Sequence, residues 1–195
     1  MTQGVINHHQ DPVMNVLKVL GICGSLRRQS TNRGLLRYAR DHAPADLRID
    51  LADLSEVPFY NADIPEKTVA VQTLLAGIEN ADALLLACPE YNYSMAPALK
   101  NALDWASREP DNRLLSGKPA AIMGAGGGMG TSRAQYHLRQ VGVFLNLYLL
   151  NKPEVFCNAF SGSFDPDGNL VDKGIQALVI QQLTALQALA RQLNR

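Results

Sequence analysis

Strand-like apolar runs alternate with helical patterns along most of the chain, and this alternation limits the fold more than any other feature. The run "DALLLACP" at 82–89 is almost entirely apolar, which is typical of a strand covered on both faces. The next segment, "PALKNALDWASR", has proline in its first turn and apolar Leu99, Ala102, Leu103 and Ala106 at helical spacing. Such alternation predicts a parallel sheet with helices on both faces.

Five strand–helix units can be counted. The predicted strands are "NVLKVLGI", "LRIDLADL", "DALLLACP", "KPAAIMGA", and either "VFLNLYLL" or the following "PEVF". We therefore predict one flavodoxin-like α/β domain at 14–195, with a doubly wound five-stranded parallel sheet of order 2-1-3-4-5, after a flexible tail at 1–13. In this arrangement ligands bind beyond the carboxyl ends of the strands, at the switch point between the first and third.

Composition limits the classes of partner. The 18 lysines and arginines balance 18 aspartates and glutamates, which argues against nucleic acid as the main partner. No apolar run is long enough for a membrane span, and no secretory signal is recognisable. The three cysteines have neither metal-ligand nor redox-motif spacing, so we interpret them as small core residues of a cytoplasmic protein and predict no metal site.

The first candidate site follows the first strand, where "GSLRRQSTN" at 24–32 leads into a helix. The segment has neither Walker A nor G-x-G-x-x-G spacing. It concentrates hydroxyl, amide and guanidinium donors in Ser25, Arg27, Ser30, Thr31 and Asn32. Together with the helix dipole these groups suit a phosphate monoester, whereas helix capping by Ser30 or Thr31 would need one residue only. We therefore expect a phosphate site here, with Arg28 pointing to solvent.

The second candidate site is "CPEYNYSMAP" at 88–97, after the third strand. Its candidate ligand-binding residues are Pro89, Glu90, Tyr91, Asn92, Tyr93 and Ser94. Aromatic and polar groups held between two prolines suit a wall for a flat ring. A packed loop whose tyrosines cover the end of the sheet explains this segment equally well.

The third candidate site is "GAGGGMGTSR" at 124–133, after the fourth strand, with five glycines in seven residues. The candidates are Gly124, Gly126, Gly127 and Gly128. Glycine leaves backbone N–H groups bare and allows a ligand to approach closely. A flexible loop is the simpler explanation, but the position at the edge of the sheet favours binding.

The three segments together describe a phosphate pocket, a planar wall and an electropositive backbone edge. Flavin mononucleotide (FMN) has the matching parts, namely a phosphate, a ribityl chain and an isoalloxazine ring. The pyrimidine end of the reduced ring carries negative charge, which bare N–H groups would stabilise.

These segments resemble the NAD(P)H-dependent FMN reductase family, and within it the branch that reduces quinones, chromate and azo dyes. The similarity covers about residues 15–190, and "PEYNYS" with "LKNALDW" is its most specific part. The resemblance implies that the FMN phosphate is held by Ser25, Arg27, Ser30 and Asn32. It implies that the ribityl chain and ring are lined by Pro89, Glu90, Tyr91, Asn92 and Tyr93. It further implies that the pyrimidine edge faces Gly126, Gly127 and their neighbours. It also implies a homodimer or homotetramer with Arg133, Tyr136 and Glu154 at subunit contacts.

The implied activity is ping-pong hydride transfer from NAD(P)H to FMN and on to quinones, or to free flavin, azo dyes or chromate. Because the cofactor carries the chemistry, no catalytic nucleophile–base pair is expected, and His137 is interpreted as a surface or interface residue. The alternative is a flavodoxin-type electron carrier without its own NAD(P)H oxidation. The balanced charge favours the enzyme, since such carriers are usually strongly acidic. A phospho-receiver is excluded because the first strand has no acidic cluster at its end.

Overall fold

The computed structural model describes residues 16–64 and 66–193, so the tail predicted at 1–13 lies outside the described residues. The strands in these ranges are β1 (Leu17–Cys23), β2 (Leu47–Leu51), β3 (Ala83–Ala87), β4 (Glu90–Tyr91), β5 (Ser94–Met95), β6 (Pro119–Gly126), β7 (Tyr148–Leu149) and β8 (Val155–Asn158). The α-helices are α1 (Thr31–Asp41), α2 (Val69–Glu79), α3 (Pro97–Ser107), α4 (Ser132–Phe144) and α5 (Lys173–Leu193).

Parallel pairing arranges the strands in the predicted order. Strand β1 lies between β2 and β3, and β6 lies on the other side of β3. Strands β7 and β8 both pair with the far edge of β6. The flavodoxin-like order 2-1-3-4-5 is confirmed, with β6 at the fourth position of the sheet.

Two short strands share the fifth position of the sheet. The first two residues of β6 pair with β7, and its last four pair with β8. Pro153 lies between the two strands and has no N–H group to continue the ladder. Both segments considered for the last strand therefore contribute to it. The beginning of "VFLNLYLL" belongs to α4, and the antiparallel pair β4–β5 was not predicted.

The sheet separates two apolar cores. Helices α2, α3 and α4 cover one face, and α1 and α5 cover the other. All residues of β3 are buried, as the unbroken apolar run indicated. Burial of a leucine side chain stabilises the fold by roughly 1.5–3 kcal/mol, so Leu84, Leu85 and Leu86 anchor the middle of the sheet.

Local sequence sets the helix starts nearest the edge of the sheet. Ser30 caps α1 and Thr68 caps α2, each through its side-chain oxygen. Pro97 is the first residue of α3, where its missing N–H group costs nothing. Among the described residues, no helix is both long and apolar enough to cross a membrane.

Candidate functional site

Three loops meet at the carboxyl edge of the sheet: loop 1 (24–30), loop 2 (88–96) and loop 3 (127–131). Loops 1 and 2 are in close contact, because a Cβ atom on Gly24 would lie 2.9 Å from Pro89 Cδ and 3.0 Å from Ala96 Cβ. Loop 2 reaches the third segment through Glu90, whose carboxylate pairs with Arg133 and accepts the Ala134 N–H at 3.3 Å. The structure therefore brings the three predicted segments together around one site.

Loop 1 places hydroxyl groups at the start of α1. Ser30 is the N-cap, and its Oγ accepts the Arg33 N–H at 3.2 Å, which confirms the capping role for this residue. Thr31 begins the helix, and Ser25 is buried near the start of the loop. The first turn of α1 has no acidic residue, so the positive end of its dipole is uncompensated. A phosphate dianion suits this donor set.

Arg27 and Arg28 are both exposed. Arg27 donates from Nη2 to the Gln29 carbonyl at 3.3 Å, a long bond that a phosphate could replace. Arg27 also lines a pocket beside loop 1.

Asn32, which is predicted to contact the phosphate, also forms two hydrogen bonds with the backbone of β6. Its Nδ2 donates to the Ala125 carbonyl at 2.8 Å, and its Oδ1 accepts the Ala125 N–H at 2.9 Å. These buried bonds connect α1 to β6 beyond the last residue of β3 that pairs with β6. One N–H of the Asn32 amide is left for a ligand, so its role in phosphate binding stays a prediction.

Loop 2 contains a tight hairpin. Strands β4 and β5 pair in antiparallel orientation, and the two residues between them, Asn92 and Tyr93, have φ angles of 50° and 66°. Two positive φ values are the signature of a type I′ turn. Tyr91 and Tyr93 are 44% and 67% exposed, so their rings do not pack under the loop. This exposure favours the wall over the packed-loop alternative.

Arg133 joins loop 2 to α4. Its guanidinium pairs with the carboxylate of Glu90 and lies 3.7 Å from the centroid of the Tyr93 ring. The Glu90 side chain is only 7% exposed, so its carboxylate is shielded from water, whereas the Arg133 side chain is 40% exposed. The cation–π contact with Tyr93 holds one aromatic ring of the hairpin in place. Arg133, proposed for subunit contacts, thus has intrachain partners.

The glycines predicted to bind the ligand fall into two groups, according to the space around each of them. A Cβ atom on Gly124 would lie 1.9 Å from Thr131 Oγ1 and 2.6 Å from the Cys88 carbonyl, so packing alone requires glycine there. Gly126 also lies close to the loop backbone. Gly127 and Gly128 are exposed, and a Cβ atom on either would meet nothing within 4 Å. The open backbone at these two positions suits the edge of a ring; both assignments stay predictions.

Sequence reasoning missed one wall of the site. The segment 52–63 follows β2, so it reaches the same edge of the sheet. Together with loops 1 and 2 and the start of α3, it encloses an apolar pocket of about 380 Å³. The pocket is lined by Gly24, Leu26, Arg27, Leu54, Ser55, Val57, Phe59, Tyr91, Pro97, Ala98 and Asn101. The aromatic pair in "VPFYN", at the end of a parallel strand, was the signal available for it.

The titratable groups near the loops do not form a catalytic triad. His137 contacts Ser94, with 3.0 Å between Nδ1 and Oγ, and both residues lie where α4 meets the hairpin. Cys23 and Cys88 are buried at strand ends. Burial raises the pKa of the Cys23 thiol, and it raises the pKa of Cys88 to about 12. Both thiols are therefore protonated and unreactive at neutral pH.

These features define a flavodoxin-like α/β protein whose ligand site lies at the topological switch point. It offers a helix start that suits a phosphate, exposed aromatic rings and bare backbone, and the described residues around it include no activated nucleophile. A site with these properties suits a cofactor that carries the chemistry itself.

Comparison with known proteins identifies the family. The family model described as NADPH-dependent FMN reductase matches residues 17–162, and the chain belongs to this family. The chain is 52% identical over 181 residues to an NAD(P)H-dependent FMN reductase of Pseudomonas aeruginosa, covering 91% of this chain and 97% of the relative. It is 47% identical over 187 residues to an NAD(P)H:quinone oxidoreductase of Solanum tuberosum, covering 92% and 95%.

A solved structure shares the architecture. The flavoenzyme NAD(P)H:(acceptor) oxidoreductase of Paracoccus denitrificans superposes with a TM-score of 0.78 at 30% identity, over 89% of this chain and 98% of that one. The family inferred from loops 1, 2 and 3 is therefore confirmed, and the chain is an oxidoreductase.

Proposed function

We propose that this chain is an FMN-dependent NAD(P)H oxidoreductase whose acceptors are quinones. The convergence of loops 1, 2 and 3 at one edge of the sheet carries this proposal, because it matches the parts of FMN in a single site. The relatives named as FMN and quinone reductases support it. They give no support to the alternative of a flavodoxin-type carrier.

The residues around loop 1 would hold the phosphate. Ser25, Ser30, Thr31 and the first N–H groups of α1 would donate to its oxygens, and Arg27 would neutralise charge. The hairpin of loop 2 would flank the ring, while Gly127 and Gly128 would expose N–H groups toward it. When bound, FMN supplies a flavin that accepts a hydride from NAD(P)H and passes two electrons to the acceptor.

The overall reaction is NAD(P)H + H⁺ + quinone → NAD(P)⁺ + hydroquinone. Glu90 is unsuited to act as a general base in it, because Arg133 and the Ala134 N–H already occupy its carboxylate. The protein's part is to bind, orient and shield the reacting rings. Because the protein binds the cofactor and the cofactor carries the chemistry, loops 1, 2 and 3 supply hydrogen-bond donors and aromatic rings.

Purified protein tests the proposal directly. We expect the visible absorption bands of bound flavin, and NADPH or NADH oxidation that depends on added benzoquinone. Bound flavin without oxidation of either nucleotide would instead indicate the electron carrier. A colourless protein that does not take up added FMN would contradict the cofactor assignment.

We further propose a homodimer or homotetramer in the cytoplasm. Helix α4 supports the oligomer, because it exposes Tyr136, Val143 and Phe144 on one stripe, and these side chains are 58%, 79% and 80% exposed. Glu154, the third residue proposed for subunit contacts, bonds to Lys152 Nζ at 2.6 Å within the chain. The free, buried cysteines support a reducing compartment.

Light scattering coupled to gel filtration tests the oligomer. The expected mass is two or four times the chain mass of 21.2 kDa. Tyr136→Glu should shift the distribution toward monomer by placing a charge on the apolar stripe. A native protein of 21.2 kDa at micromolar concentration would contradict the proposal.

A further inference from the structure

The apolar pocket beside loop 1 is larger than packing defects in a folded domain. Its volume of about 380 Å³ falls within the range of small-molecule sites. Most of its lining is apolar, and three large side chains at its rim are well exposed: Phe59 at 77%, Leu26 at 52% and Tyr91 at 44%. A cluster of exposed apolar side chains around a cavity marks a binding surface.

The pocket is continuous with the proposed FMN site. Tyr91 belongs to the hairpin of loop 2, Arg27 belongs to loop 1, and both residues also line the pocket. A ligand that stands against Tyr91 can therefore extend between segment 52–63 and the start of α3. The pocket lies on the side of the α2–α3 face, whereas the phosphate site lies at the start of α1 on the other face.

The polar groups behind this wall are already bonded. Asn101 Oδ1 accepts the Tyr60 N–H at 2.8 Å, and its Nδ2 donates to the Pro58 carbonyl at 2.9 Å. Trp105 Nε1 donates to the same carbonyl at 2.8 Å. Arg27 is the single charged residue in the lining, and it is assigned to the phosphate. The remaining surface suits an apolar occupant and leaves the phosphates and ribose groups of a nucleotide poorly matched.

We propose that this pocket binds the apolar side chain of a quinone acceptor, whose ring lies beside Tyr91 at the FMN site. The substrate class is thus quinones that carry a hydrocarbon chain, and Phe59 with Ala98 determines the preference for that chain. This inference rests on the proposed function. It assigns segment 52–63 a role in substrate selection.

Binding can be measured without turnover. The FMN-loaded, oxidised protein is titrated with quinone in the absence of NAD(P)H, and quenching of Trp105 fluorescence reports occupancy. Trp105 is the only tryptophan of the chain and packs edge-on against Tyr60 behind the pocket wall, where its Nε1 donates to the Pro58 carbonyl. The probes are 2,3-dimethoxy-5-methylbenzoquinone and the same ring carrying a decyl chain. The decyl compound should bind at least about tenfold more tightly, since each buried methylene adds affinity.

Two variants test the pocket itself. Phe59→Ala removes an exposed aromatic side chain from the pocket wall, and the variant should fold normally. Ala98→Leu places a larger side chain in the pocket from the first turn of α3. Each should bring the two dissociation constants to within about threefold, mainly by weakening the decyl compound. Phe160→Ala is the matched control, because Phe160 is 85% exposed and lies outside the lining. It should keep the full preference.

The outcomes separate this inference from the proposed function. Failure to bind FMN, seen in the absorption spectrum before titration, overturns both. Equal affinity of the two quinones for the FMN-loaded protein, or an unchanged preference in Phe59→Ala and Ala98→Leu, overturns the pocket assignment alone. The pocket assignment is also overturned if these variants lose affinity for NADP⁺ but keep the quinone preference, because the pocket would then bind the nucleotide.

Discussion

The side-chain amide of Asn32 pairs with the backbone of Ala125 as a neighbouring strand would. It donates to the Ala125 carbonyl at 2.8 Å and accepts the Ala125 N–H at 2.9 Å, and both bonds are buried. The pairing of β3 with β6 ends at Met123. Asn32 therefore satisfies the backbone of β6 where the sheet opens to form the ligand site.

Asn32→Ala should lower the free energy of unfolding by about 2–4 kcal/mol, because it leaves a buried N–H and a buried carbonyl of Ala125 without partners. Urea denaturation of the two proteins measures the difference. Asn80→Ala provides a control, since its Nδ2 donates to the Ala76 carbonyl at a similar 2.8 Å but at an exposed helix end. Equal losses in the two variants would show that the Ala125 contact has no special weight.

Arg27→Ala should weaken FMN binding by roughly 1.5–3 kcal/mol, the usual contribution of a hydrogen bond to a charged group. Titration of apoprotein with FMN, followed by flavin fluorescence, measures the change. Riboflavin lacks the phosphate, so its affinity should be the same in the variant and the parent. Arg28→Ala, at the neighbouring exposed position, should alter neither affinity. A parallel loss for FMN and riboflavin would place Arg27 elsewhere than at the phosphate.

The sequence predicted the fold well because its strongest signals are regular patterns of apolar residues: an unbroken run in the central strand and helical spacing in the segment that follows it. The unbroken run at 82–89 became a fully buried strand, and the alternation gave the strand order. Boundaries were harder to predict where tertiary contacts decide them. Nothing local indicates that Pro153 divides the fifth sheet position between β7 and β8, since both segments have strand-like composition.

The position of the site could be predicted from the strand pattern, but the contacts of its side chains could not. Strand ends locate loops 1, 2 and 3, so the candidate residues came together. The partners of individual side chains depend on distances that sequence does not contain. Asn32 pairs with a backbone 93 positions away, and Arg133 of α4 pairs with Glu90 of loop 2. The wall at 52–63 was missed because the loop after β2 was given no role.

Arg133→Met should destabilise the fold by about 1–3 kcal/mol, because the Glu90 carboxylate would stay buried without its cation. Glu90→Gln removes the need for that cation. The double variant should therefore lose less stability than the two single variants added together. A double-mutant cycle from urea denaturation measures this coupling. Strict additivity would mean that the Glu90–Arg133 pair contributes nothing in solution.

Cys88→Ala should reveal a pH-dependent contribution of the buried thiol. Desolvation in the folded protein raises the pKa of Cys88 to about 12, while the thiol of an unfolded cysteine has a pKa of about 8.5. The unfolded chain therefore loses its proton first as pH rises, so the stabilisation is complete below about pH 8 and declines toward pH 12. Between pH 7 and pH 9.5 the parent should lose about 1 kcal/mol relative to Cys88→Ala, whose packing deficit does not titrate. Urea denaturation of both proteins at the two pH values measures it, and a constant difference would mean that the Cys88 thiol is not desolvated in the folded state.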